Sequence, residues 1–116
     1  MNYLIDYSSD FLAHDRVMCN YTSSEMEIDE LTEISCGQFK TGKKLLERLA
    51  SSKPQIELEI REKLAYMRDE WIGHCFTIHD ECRVTVSVYK QDTLNAVPIW
   101  DGESVIFSVT TDEDEQ

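Results

Sequence analysis

Two stretches decide the fold class: Pro54-Gln55-Ile56-Glu57-Leu58-Glu59-Ile60-Arg61-Glu62-Lys63-Leu64-Ala65-Tyr66-Met67-Arg68-Asp69-Glu70-Trp71-Ile72-Gly73, and, shortly after it, Arg83-Val84-Thr85-Val86-Ser87-Val88-Tyr89. In the first, Ile56, Ile60, Leu64, Met67 and Trp71 recur at helical spacing, with Leu58, Ala65 and Ile72 flanking them. A stripe of that period predicts an amphipathic helix with one buried face. Ile56 to Ile60 alone alternates as a strand would, but the continuing stripe decides for helix. Pro54 suits the first turn, where its missing N–H costs nothing, and Gly73 suits the end. In the second stretch the period falls to two. Val84, Val86 and Val88 point to a core, while Arg83, Thr85, Ser87 and Tyr89 point away from it.

Upstream of this pair, Lys40 to Ala50 predicts a second helix with Leu45, Leu46 and Leu49 buried, broken by Ser51-Ser52-Lys53-Pro54. Before that, Ser24-x-x-Glu27 has the form of a capping box, in which a side-chain oxygen and a carboxylate satisfy free N–H groups reciprocally. Met26, Ile28, Leu31 and Ile34 continue from it as an apolar stripe, closed by Gly37. Tyr3, Ile5 and Tyr7 alternate as in a short strand, and Phe11 to Met18 fits either a helical turn or a second strand.

Downstream, Cys75-Phe76-Thr77-Ile78-His79 reads as a strand joined to Arg83–Tyr89 through Asp80-Glu81. Gln91 to Asn95 reads as a loop and Val97-Pro98-Ile99-Trp100 as an edge strand, since proline cannot donate to a central ladder. Asp101-Gly102 is a strong hairpin-turn signal, and Ser104 to Thr110 alternates as the next strand. Together these segments predict an α+β fold, with two or three helices packed on one face of a three- to five-stranded, mainly antiparallel sheet.

The 116 residues match one domain, and their 41% hydrophobic and 29% charged composition is that of a globular chain. With four glycines and two prolines there is no linker for a second domain. The expectation is a single domain over residues 1–111 and a disordered acidic tail over 112–116, because adjacent carboxylates repel and bury nothing. Met1 to Asp6 meets an acid early, so no secretory leader is expected, and no run reaches the roughly 18 apolar residues of a membrane span. A cytoplasmic location follows, with Cys19, Cys36, Cys75 and Cys82 as free thiols and most of them buried as small hydrophobes.

The net charge of −12 is the most informative bulk property. Acids dominate residues 1–39, where Arg16 is the only base, and residues 69–116, where Arg83 and Lys90 are; bases exceed acids over 40–68. A surface this acidic is repelled by nucleic acid and by anionic membrane, so neither is an expected direct partner. Its natural partners are basic surfaces, many of which themselves bind nucleic acid. The stretch Lys40 to Lys53 is basic, but the charge around it opposes nucleic-acid contact.

Sites of chemistry are weakly signalled. His74, Cys75, His79 and Cys82 are four potential metal ligands close together, yet adjacent residues on a strand face opposite ways and no Cys-x-x-Cys pair exists elsewhere. No metal and no cofactor are expected. Thr41-Gly42-Lys43-Lys44 lacks the glycine pattern and the Ser or Thr of a phosphate loop. Cysteine–histidine pairings are numerous but carry no nucleophile signature.

Two groups remain as candidate contacts. Glu25, Glu27, Asp29, Glu30 and Glu33 crowd one short predicted helix, as a solvated face or as an acidic ridge that imitates phosphates. Trp100, Asp101 and Glu103 combine an aromatic with acids beside a predicted turn, a pattern suited to anchoring an interface. The leading expectation is therefore a non-catalytic, stoichiometric inhibitor that blocks a basic nucleic-acid-binding or active site. An immunity protein for a nuclease toxin and a phage-type anti-defence protein share that physics. An adaptor or assembly subunit is the second expectation, and a small metal- or cysteine-dependent enzyme around residues 74–82 the third.

Overall fold

The computed structural model describes residues 1–71 and 79–111. In these, strands β1 (Asn2–Ala13) and β2 (Arg16–Thr22) are followed by helices α1 (Asp29–Ser35), α2 (Gly42–Ser51) and α3 (Lys53–Trp71). Strands β3 (Glu81–Gln91) and β4 (Ile99–Thr110) complete the chain. The strands form one antiparallel sheet in the order β2-β1-β3-β4, and the three helices pack against it. The α+β expectation holds.

The N-terminal ambiguity resolves as a hairpin. His14 and Asp15 both have positive φ, 52° and 64°, and join Ala13 to its partner Arg16. A two-residue turn of that kind matches the right-handed twist of the flanking strands. Asp80 supports it, its carboxylate accepting the His14 N–H at 3.2 Å.

Alternation in β1 and β3 sets the core. Tyr7 opposes Val86, Ser9 opposes Val84 and Phe11 opposes Cys82, while Val84 opposes Phe107 and Cys82 opposes Val109 on the far side. These rows meet Leu31 and Ile34 of α1, Leu45 and Leu49 of α2, and Ile56, Ile60, Leu64 and Met67 of α3 in one buried cluster. Each fully buried Leu or Ile contributes roughly 1.5–3 kcal/mol, which is why stripe and alternation dictate the fold. Tyr7 also ties the layers together. Its hydroxyl oxygen accepts the Ile28 N–H at 3.0 Å and lies 3.0 Å from the Thr32 hydroxyl.

Four expectations are corrected. The first helix starts at Asp29, with Ile28 as its uncapped entry residue, so Ser24-x-x-Glu27 is not a capping box. The reciprocal motif lies two residues earlier, where the Glu25 carboxylate accepts the Thr22 N–H at 2.8 Å and turns the chain out of β2. Second, α2 starts at Gly42 rather than Lys40, because the Thr41 hydroxyl accepts the Lys44 N–H at 3.2 Å and fixes the entry. Third, Leu58 and Ala65 are exposed, since the sheet covers only the narrow stripe through Ile56, Ile60 and Leu64.

The fourth correction concerns Asp101-Gly102, which is not a hairpin turn. Both flanks pair with β3, Trp100 with Tyr89 and Ser104 with Ser87, so Asp101 to Glu103 bulge out of one continuous strand. Gly102 supplies the positive φ, +91°, that the bulge requires. The chain reverses earlier, in a loop over residues 92–98 held by the Gln91 side chain, whose amide donates to the Leu94 and Ala96 carbonyls. β4 is an edge strand, and Pro98 stands immediately before it. The strand predicted over 75–79 falls outside the described residues except for His79, as do Ile72, Gly73 and the tail over 112–116.

Candidate protein-binding surface

The acidic residues do not form one helical ridge. Glu25 lies in the turn after β2 and Glu27 in the connection to α1, while Asp29, Glu30 and Glu33 lie on α1 itself. Glu30 is committed to an ion pair with Arg48 of α2 at 2.9 Å, half-buried between the helices. Glu25, Glu27, Asp29 and Glu33 remain exposed. The hydrogen bond from the Thr22 N–H lowers the pKa of the Glu25 carboxyl from its ordinary value. These four carboxylates can attract a basic surface, but apolar surface among them is sparse: the exposed Tyr66 lines a pocket with Asp29.

The opposite situation holds at the β3–β4 end. Leu94 is 87% exposed, Val97 83%, Ile99 65% and Trp100 55%, an apolar run that nothing among the described residues covers. Gln91 fixes the loop that presents Leu94 and Val97, and the bulge fixes Trp100, whose indole N–H donates to the Glu103 carbonyl at 3.3 Å. Asp92 and Glu103 are exposed beside this run. Asp101 is largely covered and lies 3.9 Å from the Lys90 ammonium. Trp100, Asp101 and Glu103 thus stand at the bulge, Trp100 and Glu103 exposed and Asp101 largely covered.

Leu94, Val97 and Ile99 were not singled out from the sequence. The signal for them was Pro98 beside Asp101-Gly102. A proline and a bulge on an edge strand strip the neighbouring apolar residues of the partners that bury them.

A groove of about 530 Å³ adjoins the same bulge, between α2 and β4. Its floor is Gly42, Leu46 and Ala50, and its rim carries Lys43 and Glu47 on one side with Asp101 and Glu103 on the other.

Of the cysteine–histidine region, the structure describes His79 and Cys82. His79 is buried, tilted against the Phe11 ring, with its Nε2 3.8 Å from the Cys19 Sγ. Desolvation lowers its pKa, against a smaller opposing pull from Asp80. Cys82 faces the core and burial pushes its thiol up to about 12. Of the described cysteines, only Cys82 is buried; Cys19 is half-buried and Cys36 exposed, fewer core thiols than expected. No group of three or more His, Cys, Asp or Glu among the described residues is placed to hold a metal ion, and His74 and Cys75 lie outside them. No helix among the described residues is long and apolar enough to cross a membrane.

Compared with known protein families, curated proteins and solved structures, the chain matches none of them.

Proposed function

We propose that this chain is a non-catalytic, acidic binding protein that covers a basic site on another protein, acting there as a stoichiometric inhibitor. The observation that carries the reading is the exposure of Leu94, Val97, Ile99 and Trp100 along the loop and the start of β4, close in sequence to Asp92, Asp101 and Glu103. Apolar and aromatic anchors surrounded by charge are the anatomy of interfaces, in which a few desolvated side chains carry most of the energy. The acids at the β2–α1 connection take a second role, steering a basic partner during approach. A nuclease or another nucleic-acid-binding protein offers the basic surface this arrangement fits. Cys36 and Cys82, as thiols, fit a reducing, cytoplasmic setting.

The test is a pull-down from lysate of the source cell at low and high salt, repeated with variants. Leu94→Ser with Trp100→Ala should weaken capture of a stoichiometric basic partner about thirtyfold, the scale of a lost anchor. Neutralising Glu25, Glu27, Asp29 and Glu33 should instead slow association and flatten its salt dependence. Capture that ignores the Trp100 variant would end this assignment of the surface. The adaptor reading draws on a different observation, the uncharged Ser104–Thr110 half of edge strand β4, and predicts a salt-insensitive assembly instead.

A further inference from the structure

The groove between α2 and the β4 bulge has an apolar floor and an unequal charge on its rim. Three carboxylates, Glu47, Asp101 and Glu103, face a single cation, Lys43. They are not equivalent. Asp101 is already answered by Lys90 at 3.9 Å, and its Oδ2 lies 3.8 Å from where a Cβ on Gly42 would stand, at the positive end of the α2 dipole. Glu47 and Glu103 take part in no ion pair among the described residues. The groove is therefore polarised: its Gly42 end is neutralised, and two open carboxylates stand farther along α2 and β4. Leu46 and Ala50 provide the apolar surface between the two sides. Glu103 links the groove to the bulge, since its carbonyl accepts the Trp100 indole N–H.

Resting on the binding reading above, we propose that this groove is a receptor for one arginine side chain of the basic partner. The three-carbon stem lies over Leu46 and Ala50, and the guanidinium meets the Glu47 and Glu103 carboxylates. Arginine fits this arrangement better than lysine. Its planar fork presents donors to two acceptors at once, and it is the more weakly hydrated cation. Its stem gains from apolar contact while the charged head stays at the rim.

The experiment needs no partner. Isotope-labelled protein is titrated at low salt with N-acetyl-arginine amide, and amide shifts are followed by NMR. The expected result is a saturable response centred on Gly42, Leu46, Ala50 and Gly102. Affinity should fall about tenfold for N-acetyl-norleucine amide, which keeps a stem and lacks the charge, and for guanidinium ion, which lacks the stem. Glu47→Gln with Glu103→Gln should give a loss of the same order. Ala50→Arg, which places the chain's own guanidinium in the groove, should abolish the response. The proposal is overturned by an affinity unchanged in the double variant, or by guanidinium ion binding as tightly as the amide. Shifts spread equally over Glu25, Glu27, Asp29 and Glu33 would overturn it too. Failure here leaves the Leu94 and Trp100 pull-down standing, and failure there leaves this titration standing.

Discussion

Glu59 of α3 caps α1 across the fold: one carboxylate oxygen accepts the Asp29 N–H at 2.8 Å and the other accepts the Glu30 N–H at 3.0 Å. The first N–H groups of a helix have no partner within it, and Ile28 has no side chain that can serve them. A charged acceptor from another helix replaces the local cap and locks α1 against α3. Glu59→Ala should lower the unfolding free energy by about 1–2 kcal/mol, the scale of a lost cap with a charged acceptor. Relief of repulsion from exposed, screened Asp29, and from Glu30, which Arg48 already neutralises, offsets only a few tenths of that. Urea denaturation checks it, and an unchanged midpoint would remove the cap from the account.

Gly102 makes the second prediction. A Cβ there would meet nothing within 4 Å, so the cost of Gly102→Ala is conformational and not steric against neighbours. At a φ of +91° that cost is about 1–2 kcal/mol. Gly102→Asn should lose less, since asparagine tolerates positive φ. Denaturation midpoints in the order glycine, asparagine, alanine are expected. Equal midpoints would show that the bulge relaxes without its glycine.

The fold was legible because periodicity is a property of burial. The Ile56, Ile60, Leu64 and Met67 stripe and the Val84, Val86 and Val88 alternation are inside because the helical and sheet layers each need one apolar face. What was not legible depended on partners distant in sequence. Ser24 and Glu27 have the local form of a cap, yet the cap of α1 comes from Glu59. Asp101-Gly102 has the local form of a hairpin turn, yet pairing of both flanks with β3 makes it a bulge. The acids from Glu25 to Glu33 looked equivalent in sequence, and only the tertiary structure gives Glu30 to Arg48. Trp100, Asp101 and Glu103 stand out in the sequence because an aromatic beside acids is a local pattern, and the structure leaves Trp100 and Glu103 exposed. Leu94 and Val97 are exposed because the loop before β4 leaves them without neighbours, which only Pro98 and Asp101-Gly102 hint at locally.

Thiol chemistry separates the cysteines. Thiolate is the reactive form, and at pH 8 a thiol pushed up to about 12 is ionised in roughly one molecule in ten thousand. Iodoacetamide at pH 8, read by peptide mass spectrometry, should modify exposed Cys36 first and leave Cys82 unmodified in the native protein. In urea the two should react alike. Native alkylation of Cys82 at the rate of Cys36 would mean that the β1–β3 core opens at that row.

His79 gives the fold a pH dependence of definite sign. Burial lowers its folded pKa below the unfolded value of about 6.5, so the unfolded chain binds the proton more readily. The stabilisation is complete above that value and is lost as pH falls from it through the folded pKa, with a slope of at most about 1.4 kcal/mol per pH unit. Asp80, whose charge favours the imidazolium, narrows the window but does not reverse the direction. The net charge of −12 acts the other way, because protonating surface carboxylates relieves repulsion as pH falls. The informative quantity is therefore a difference. Wild type minus His79→Gln, measured by urea unfolding between pH 7 and 5, should fall toward acid while the general charge effect cancels. A difference that stays flat over that range would mean that the imidazole next to Phe11 and Cys19 accepts its proton as readily in the folded chain as in the unfolded one.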